Sequence, residues 1–455
     1  MPYVPKQYAS AKRFIQQYTD LGNIVDPDDK ARCAAYSLYD DFYRNRPETF
    51  EVTLRESTDT EIYIPSSKKI VNGTAMYLAV TPEFQVKGGN ATAVKALLED
   101  IWAREEMGRK FVRAKKDNLA MGDYVWYLTA DPSKRDRDKI SINVVHPSSY
   151  FPIYDPEDET RVIGCYLVDL VQDPRPGATK GEKVARRQAY YKTPEGVVSE
   201  CNTYEIGRWD DRYLERDEIR KVSTVVQPFL IKGIPTLPLY HIPIDSPTGS
   251  SWGTSILSGI EYVINAMNQS ITYEDLTLVL QGLGVYVTTA GPPVDPVTKK
   301  PMKYRMHPGS VLEMSQGDEF NRVTGVSSVS PFQDHIQLLD DWSLAGTGLS
   351  DIATGNVDVA VAESGIALAF KMGPILAENG DRELEIKAKW DQLVYDLVHY
   401  WFPAFEGIQP GDGIKAEIVF GDPMPVNRDA IVTEVTTLAD GGYILIDEVR
   451  TKLEK

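Results

Sequence analysis

The sequence predicts an α+β fold in which one long β-rich stretch interrupts an otherwise helical chain. Three observations lead there. Short β-rich runs cluster between residues 122 and 244. Apolar residues recur at helical spacing on both sides of that stretch. Between two of the helical segments lies a Pro-rich stretch, residues 291–310, with Pro292, Pro293, Pro296, Pro301 and Pro308. At 455 residues, 42% hydrophobic and 25% charged, the chain is long enough for a large core and is not a mostly disordered polymer.

The elements follow in order. Asp26-Pro27-Asp28-Asp29 is a helix start, with Asp26 at the N-cap and Pro27 at the first helical position. Tyr36, Tyr39 and Tyr43 then fall at helical spacing beside Leu38 and Phe42. A second helix is expected from about Thr92 to Lys116, with Val94, Leu98, Ile101 and Trp102 as its apolar stripe. Strands are expected at 123–129, 140–145, 162–168 and 237–243, separated by turn signals such as Asp155-Pro156 and Pro194-Glu195-Gly196.

From Ile256 to about Leu283 there is no proline, and Ile260, Ile264, Met267 and Ile271 lie on one helical face. Such a rod is roughly 40 Å long. Asn265, Asn268, Gln269 and Thr272 fall elsewhere on its wheel. Val285–Thr289 reads as a strand, and 303–306 and 311–314 are strand-like, so a small β module is inserted here. A helix restarts at Ser330, with Pro331 at the first position and Gln333 completing a capping box. It runs through Ile336, Leu339 and Trp342 and weakens at Gly346 and Gly348.

A loop of small residues follows, and then a helix from near Ser364. Pro374 kinks that helix, and Ile386, Trp390, Leu393, Leu397 and Trp401 form its stripe. The tail, after Ile418–Asn427, reads as a helical pair broken at Asp440-Gly441-Gly442. It lacks the Arg/Lys-lined second helix of a DNA reader.

Charge and motif content exclude several functions. The net charge of −17 argues against a protein that grips DNA phosphates tightly, though not against one that DNA slides past. Cys33, Cys165 and Cys201 are odd in number and widely spaced, which fits a reducing compartment. No targeting segment and no apolar run of about 18 residues is visible, so a cytoplasmic, non-membrane protein is expected. There is no phosphate-loop motif and no zinc-protease motif, and the five His show no ligand pair, so neither cofactor nor metal is expected. Asp155, Glu157, Asp158 and Glu159 fail calcium-loop spacing, because Thr160 stands where Gly is needed.

Gly249-Ser250-Ser251-Trp252-Gly253 matches a nucleophile-elbow pattern, with Ser251 as nucleophile and His399 as the base that follows in chain order. Asp245–Thr248 intervenes where the elbow needs a tight turn, so a plain loop is the better reading.

The order of elements resembles the portal proteins of tailed bacteriophages. The segments that carry the likeness are Tyr39–Phe50, Ile62–Val71, Trp252–Leu257 with Asn265, Glu363–Leu368, and Gly421–Val426 with Asp440–Tyr443. The resemblance implies a portal fold. Its parts would be a mixed α/β wing (1–251), a first stem helix (252–283), a small β clip (284–330), a second stem helix (331–347), a tunnel loop (348–363), a long kinked wing helix (364–402) and a helical crown (403–455).

It also implies a non-enzymatic homo-oligomeric ring, usually of about twelve subunits, at the portal vertex of a virion. Double-stranded DNA would pass through it without sequence specificity. Its partners would be the major capsid protein, the terminase and a head-completion adaptor. The tunnel-loop residues facing DNA would be Asp351, Thr354, Asn356, Val357, Asp358, Val359, Ala360 and Val361. Docking at the clip would fall to Lys299, Lys300, Lys303 and Arg305, where basic residues locally outnumber acidic ones. An adaptor-like ring protein of the virion is the alternative of the same kind, and a serine hydrolase using Ser251 the alternative of another.

Overall fold

The structure is a computed structural model. It describes residues 27–54, 60–172, 183–205, 220–283, 285–289, 291–292, 294–295, 297–301, 317–323, 330–354, 365–423 and 436. In chain order the elements are α1 (Pro27–Tyr43), α2 (Ser66–Met76), β1 (Val80–Lys87), α3 (Ala91–Arg104), α4 (Met107–Met121), β2 (Asp123–Ala130), β3 (Ile140–Val145), β4 (Tyr150–Asp155), β5 (Asp158–Gln172), β6 (Lys183–Thr193), β7 (Gly196–Glu205), β8 (Arg220–Lys232) and β9 (Leu239–Pro243). There follow α5 (Glu261–Leu283), β10 (Val285–Thr288), β11 (Phe320–Val323), α6 (Ser330–Ala345), α7 (Gly365–Asp396) with a π-helical continuation Leu397–Glu406, and β12 (Lys415–Gly421). The fold is α+β. Two compact units are distinguished. One is made of Phe50–Ser66 and Ile260–Ser343, and the other takes the described residues within Gln7–Thr49, Ser67–Gly259 and Leu344–Lys455.

In the larger unit, β2 is the centre of a three-stranded antiparallel sheet, between β3 and β9. Strands β4 to β8 form a second antiparallel sheet in sequence order. Val125 and Leu239 of the first sheet pack with Tyr150, Leu167, Tyr190 and Val197 of the second, all buried. A third pairing joins distant parts of the chain: β1 runs antiparallel to β12, with Val80 opposite Gly421 and Lys87 opposite Lys415.

An aromatic cluster ties these layers to the helices. Trp390 of α7 lies 5.0 Å from Trp126 of β2, 5.7 Å from Phe111 of α4 and 5.9 Å from Trp102 of α3, between ring centroids. Phe420 of β12 closes on Phe111 at 5.9 Å. Each such ring contributes roughly 1.5–3 kcal/mol by leaving water. The stripe Ile386, Trp390, Leu393, Leu397 and Trp401 is buried throughout, as its spacing predicts.

Several boundaries differ from the sequence expectation. The helix expected over 92–116 is two helices, α3 and α4, because Glu106 adopts a left-handed conformation (φ 50°). Glu105 accepts from Lys110 Nζ at 2.9 Å across the break. The helix expected from Ile256 begins at Glu261, since Gly259 sits at φ 97° and Ser255 Oγ is turned back to the Ala120 carbonyl at 2.5 Å. Strands β6, β7 and β8 were not expected. The helix expected to end near 402 continues as a π-helix to Glu406 with Pro403 inside it. The segment from Lys415, expected to lead a helical crown, is strand β12 of the larger unit. Asp26, the strand-like stretches 303–306 and 311–314, and the C-terminal helical pair lie outside the described residues.

Candidate functional site

The smaller unit is built on α5. Its apolar stripe is buried at Ile260, Ile264 and Met267. Its neighbouring polar stripe does unexpected work, because it holds two extended stretches of chain. Asn265 Oδ1 accepts from the Glu51 amide at 2.8 Å and Gln269 Oε1 from the Thr53 amide at 2.6 Å, while Gln269 Nε2 donates to the Thr53 carbonyl at 3.0 Å. Asn268 Oδ1 accepts from Ile64 N at 2.9 Å, and Thr272 Oγ1 from Ile62 N at 3.1 Å. Residues 50–54 and 60–64 thus satisfy backbone groups on helix side chains rather than in a sheet. Phe50 stacks on Tyr63 with centroids 5.4 Å apart, which ties the two stretches together.

Past Leu283 the chain forms the hairpin β10–β11, with Val285 opposite Val323 and Thr288 opposite Phe320. Beyond it an isolated bridge pairs Val294 with Pro301. Asp295 Oδ1 organises that tip by accepting from the Val297 and Thr298 amides at 2.8 and 3.2 Å. Lys299 (φ 53°) and Lys300 are both exposed on it, while Lys303 and Arg305 lie outside the described residues. The chain returns in α6, where Gln333 Nε2 donates to Glu274 Oε1 of α5 at 3.1 Å. On these two helices Leu278, Val279, Leu338 and Trp342 are 48%, 50%, 43% and 56% exposed.

In the larger unit, the start of the small-residue loop is anchored. Leu349 and Ala353 are buried, Gly73 of α2 packs against the Leu349 side chain, and Asp351–Thr354 form a 3-10 turn. Gly348 is at φ 66°, a left-handed conformation that favours glycine, and a Cβ there would meet only the movable end of the Glu378 side chain, 2.3 Å from Oε1. Asn356, Val357, Asp358, Val359, Ala360 and Val361 lie outside the described residues. The sequence motifs therefore fall in both units: the clip lysines in the smaller, Asp351 and Thr354 in the larger.

The loop around Ser251 is held by structure on both sides. Arg32 lies 3.7 Å above the Trp252 ring and donates to the carbonyls of Pro147 and Tyr150. The Gly253 amide donates to Asp123 Oδ1 at 2.9 Å, and a Cβ on Gly253 would meet the Gly122 carbonyl at 2.0 Å. Asp123 is fully buried and is also bound by Tyr36 Oη at 2.6 Å and His241 Nε2 at 2.6 Å. The fully buried carboxylate with three donors explains Gly253 as part of a packing hub. His399, the expected partner of Ser251, packs on Tyr395 with centroids 4.1 Å apart, and it is His241 that shares a cleft with Ser251.

No protein-family model matches this chain, and no curated protein matches it. Among solved structures, it is similar to a chain in the neck of an empty GTA particle computed with C6 symmetry, at 14% identity and TM-score 0.47, covering 86% of this chain and 90% of that one. A chain in the neck of the native GTA particle computed with C12 symmetry gives 14% identity and TM-score 0.47, over 86% and 89%. A chain in the virion of a native gene transfer agent (GTA) particle gives the same identity and TM-score over 97% and 99%. Among the described residues, no group of three or more His, Cys, Asp or Glu could hold a metal ion, and no helix is long and apolar enough to cross a membrane.

Proposed function

We propose that this chain is the subunit of a portal-type ring, a virion channel for double-stranded DNA. The reading rests on the smaller unit and not on the likenesses to solved structures just given. The single observation that carries it is a pair of helices, α5 and α6, that bracket an exposed β-hairpin and present Leu278, Val279, Leu338 and Trp342 to solvent. An apolar surface of this kind on a soluble chain marks an interaction face. A head-to-tail contact between copies closes into a ring when the rotation permits.

In this assignment α5 and α6 are the stem, the hairpin with Lys299 and Lys300 is the clip where a terminase and then an adaptor dock, and 348–363 is the tunnel loop. The loop residues Asp351, Asp358 and Glu363 would keep phosphates from settling, since each salt contact formed with DNA has to be broken again for the duplex to move. Val357, Val359, Ala360 and Val361 would supply weak, sequence-independent contact. The ring would sit at one vertex of the capsid, against the major capsid protein. Negative-stain imaging and native mass measurement of the purified chain test the reading. A closed ring with an axial hole is expected. A stable monomer at 50.9 kDa at all concentrations, with or without scaffold and capsid protein, overturns it.

A further inference from the structure

The larger unit contains a cleft of about 430 Å³ between β5, β6, β9 and α7, lined by three cations. Arg161, Lys192 and Lys389 line it together with His241, and so do Tyr154 and Ser251, whose hydroxyls are hydrogen-bonded to each other. No Asp or Glu is among its lining residues. That lining is out of keeping with a chain of 66 acidic and 49 basic residues, in which a cation picked at random has acidic neighbours in excess.

The nearby carboxylates lie outside the lining, and Glu385, raised above its ordinary value by burial, is the one that Lys389 acts on. Asp155 reaches Arg161 only at 3.6 Å, on a side chain that is mostly exposed. Asp396, the carboxylate that acts on Lys192, accepts from Tyr240 Oη at 2.7 Å. Asp123, behind His241, is saturated by its three donors. Among the described residues, neither Lys192 nor Lys389 has an ion-pair partner. The cations also oppose one another: the Lys192 ammonium is held below the ordinary lysine range, first by burial and next by Arg161. Like charges gathered in a partly desolvated cleft raise the energy of the empty state, and an anion placed among them relieves it.

We propose that this cleft binds a phosphate-class oxyanion, held by Lys192, Lys389 and Arg161 with Tyr154 and Ser251 as hydroxyl donors. Fixed-point ammonium groups and a guanidinium fork are the usual partners of such an ion. The chemistry is shared by free phosphate and by a phosphate of a nucleic-acid backbone. The inference is independent of the ring assignment, because it uses only groups within one unit of one chain. It also gives Ser251 a role as a donor at the rim, which needs no nucleophilic chemistry.

The test is titration of the purified protein at constant ionic strength with inorganic phosphate, with sulfate, and with a short duplex DNA, each against a chloride control. Binding is read by calorimetry and by ³¹P line broadening. Phosphate binding is expected, with sulfate competing. Lys192→Ala combined with Lys389→Ala should weaken it by at least about tenfold, whereas Lys389→Arg should retain it. Lys415→Ala, an exposed lysine on β12 outside the cleft, should leave it unchanged. Phosphate that binds where duplex does not assigns a free oxyanion, and duplex displaced by phosphate and lost in the same double variant assigns a backbone phosphate. No phosphate or sulfate binding at millimolar concentration, or binding that the folded double variant keeps, overturns the proposal. Both lysines are at least partly solvent-exposed, so the double variant should fold, and an unchanged melting curve checks it.

Discussion

Replacing Trp342 by Glu separates an assembly face from an ordinary surface residue. Trp342 lies on α6 and is 56% exposed in the single chain. A large aromatic side chain buries roughly 150–250 Å² when fully covered, so the open part of Trp342 offers roughly 80–140 Å² to a neighbour. At about 25 cal/mol per Å² this is roughly 3 kcal/mol for each subunit contact, or roughly a hundredfold in the association constant of that contact. The introduced carboxylate adds a desolvation penalty to the loss. A closed ring uses the face once per subunit, so the effect is repeated around it and assembly should fail outright.

The folded monomer should barely notice, since exposed substitutions typically stay within about 0.5 kcal/mol. The assay pairs sedimentation velocity or mass photometry with a thermal melt. Loss of the oligomer at an unchanged monomer melting temperature is expected, and Leu278→Glu on α5 should act alike. If Trp342→Glu assembles as the wild type does, the face is not a subunit contact. If it lowers the monomer melting temperature by many degrees, Trp342 is instead packed within the chain. Either outcome refutes the argument.

Two further predictions concern charge. Asp358→Lys would turn each negative charge of the proposed tunnel loop positive, so that in a ring roughly twelve phosphate contacts could form at once. DNA packaging into empty heads carrying the variant should stall and recover partly in high salt, as the Debye length falls from about 10 Å at 0.1 M to about 3 Å at 1 M; normal filling at any salt would mean that residue 358 does not face DNA.

Lys115 tests the interior of the larger unit. Burial first, and the neighbouring Lys116 next, push its pKa down to about 8, and its Nζ donates to the Leu78 carbonyl at 2.6 Å. The unfolded chain therefore holds this proton more tightly than the folded one, and stability should rise as pH increases from about 8 towards the ordinary lysine value. The buried thiols of Cys33 and Cys165, both raised by burial, pull the other way from about pH 9 upward, and the hydroxyls of Tyr36, Tyr150 and Tyr240, raised well above their ordinary value by burial, do so above about pH 10. From pH 7 to pH 9.5 the melting temperature of the wild type relative to that of Lys115→Met should climb, since the thiols and tyrosines are common to both. Parallel curves would show that Lys115 is not the group responsible.

What the sequence disclosed depended on whether the structure obeyed a local period. The stripe from Ile386 to Trp401 was legible because one helical face is buried from end to end, and in the run Tyr36, Tyr39 and Tyr43 the first two are buried and the last is half-buried. Strands β6 to β8 were not, although their hairpin signal at Pro194-Glu195-Gly196 was. Arg186, Arg187 and Gln188 stand in the middle of β6, so its alternation is blurred. The pairing of β1 with β12 joins residues more than three hundred positions apart, and no local pattern encodes it. The break between α3 and α4 falls on two glutamates, which are good helix formers, so propensity pointed the wrong way and tertiary packing overrode it.

The polar stripe of α5 is the most instructive miss, because its signal was present. Asn265, Asn268, Gln269 and Thr272 follow the same i, i+3, i+4, i+7 spacing as a buried apolar face. A solvated helix face is usually furnished with Lys, Glu and Arg, which favour the helix and stay hydrated. Asn and Thr do not favour it, because their short polar groups compete for nearby backbone. A helix that spends four positions of one face on uncharged amides and a hydroxyl is equipped to bind a peptide backbone, whose amide and carbonyl groups need neutral donors and acceptors at regular spacing. Here that backbone is the chain's own, at Glu51, Thr53, Ile62 and Ile64. The composition of the stripe, more than its polarity, distinguishes a clasp from a wetted surface.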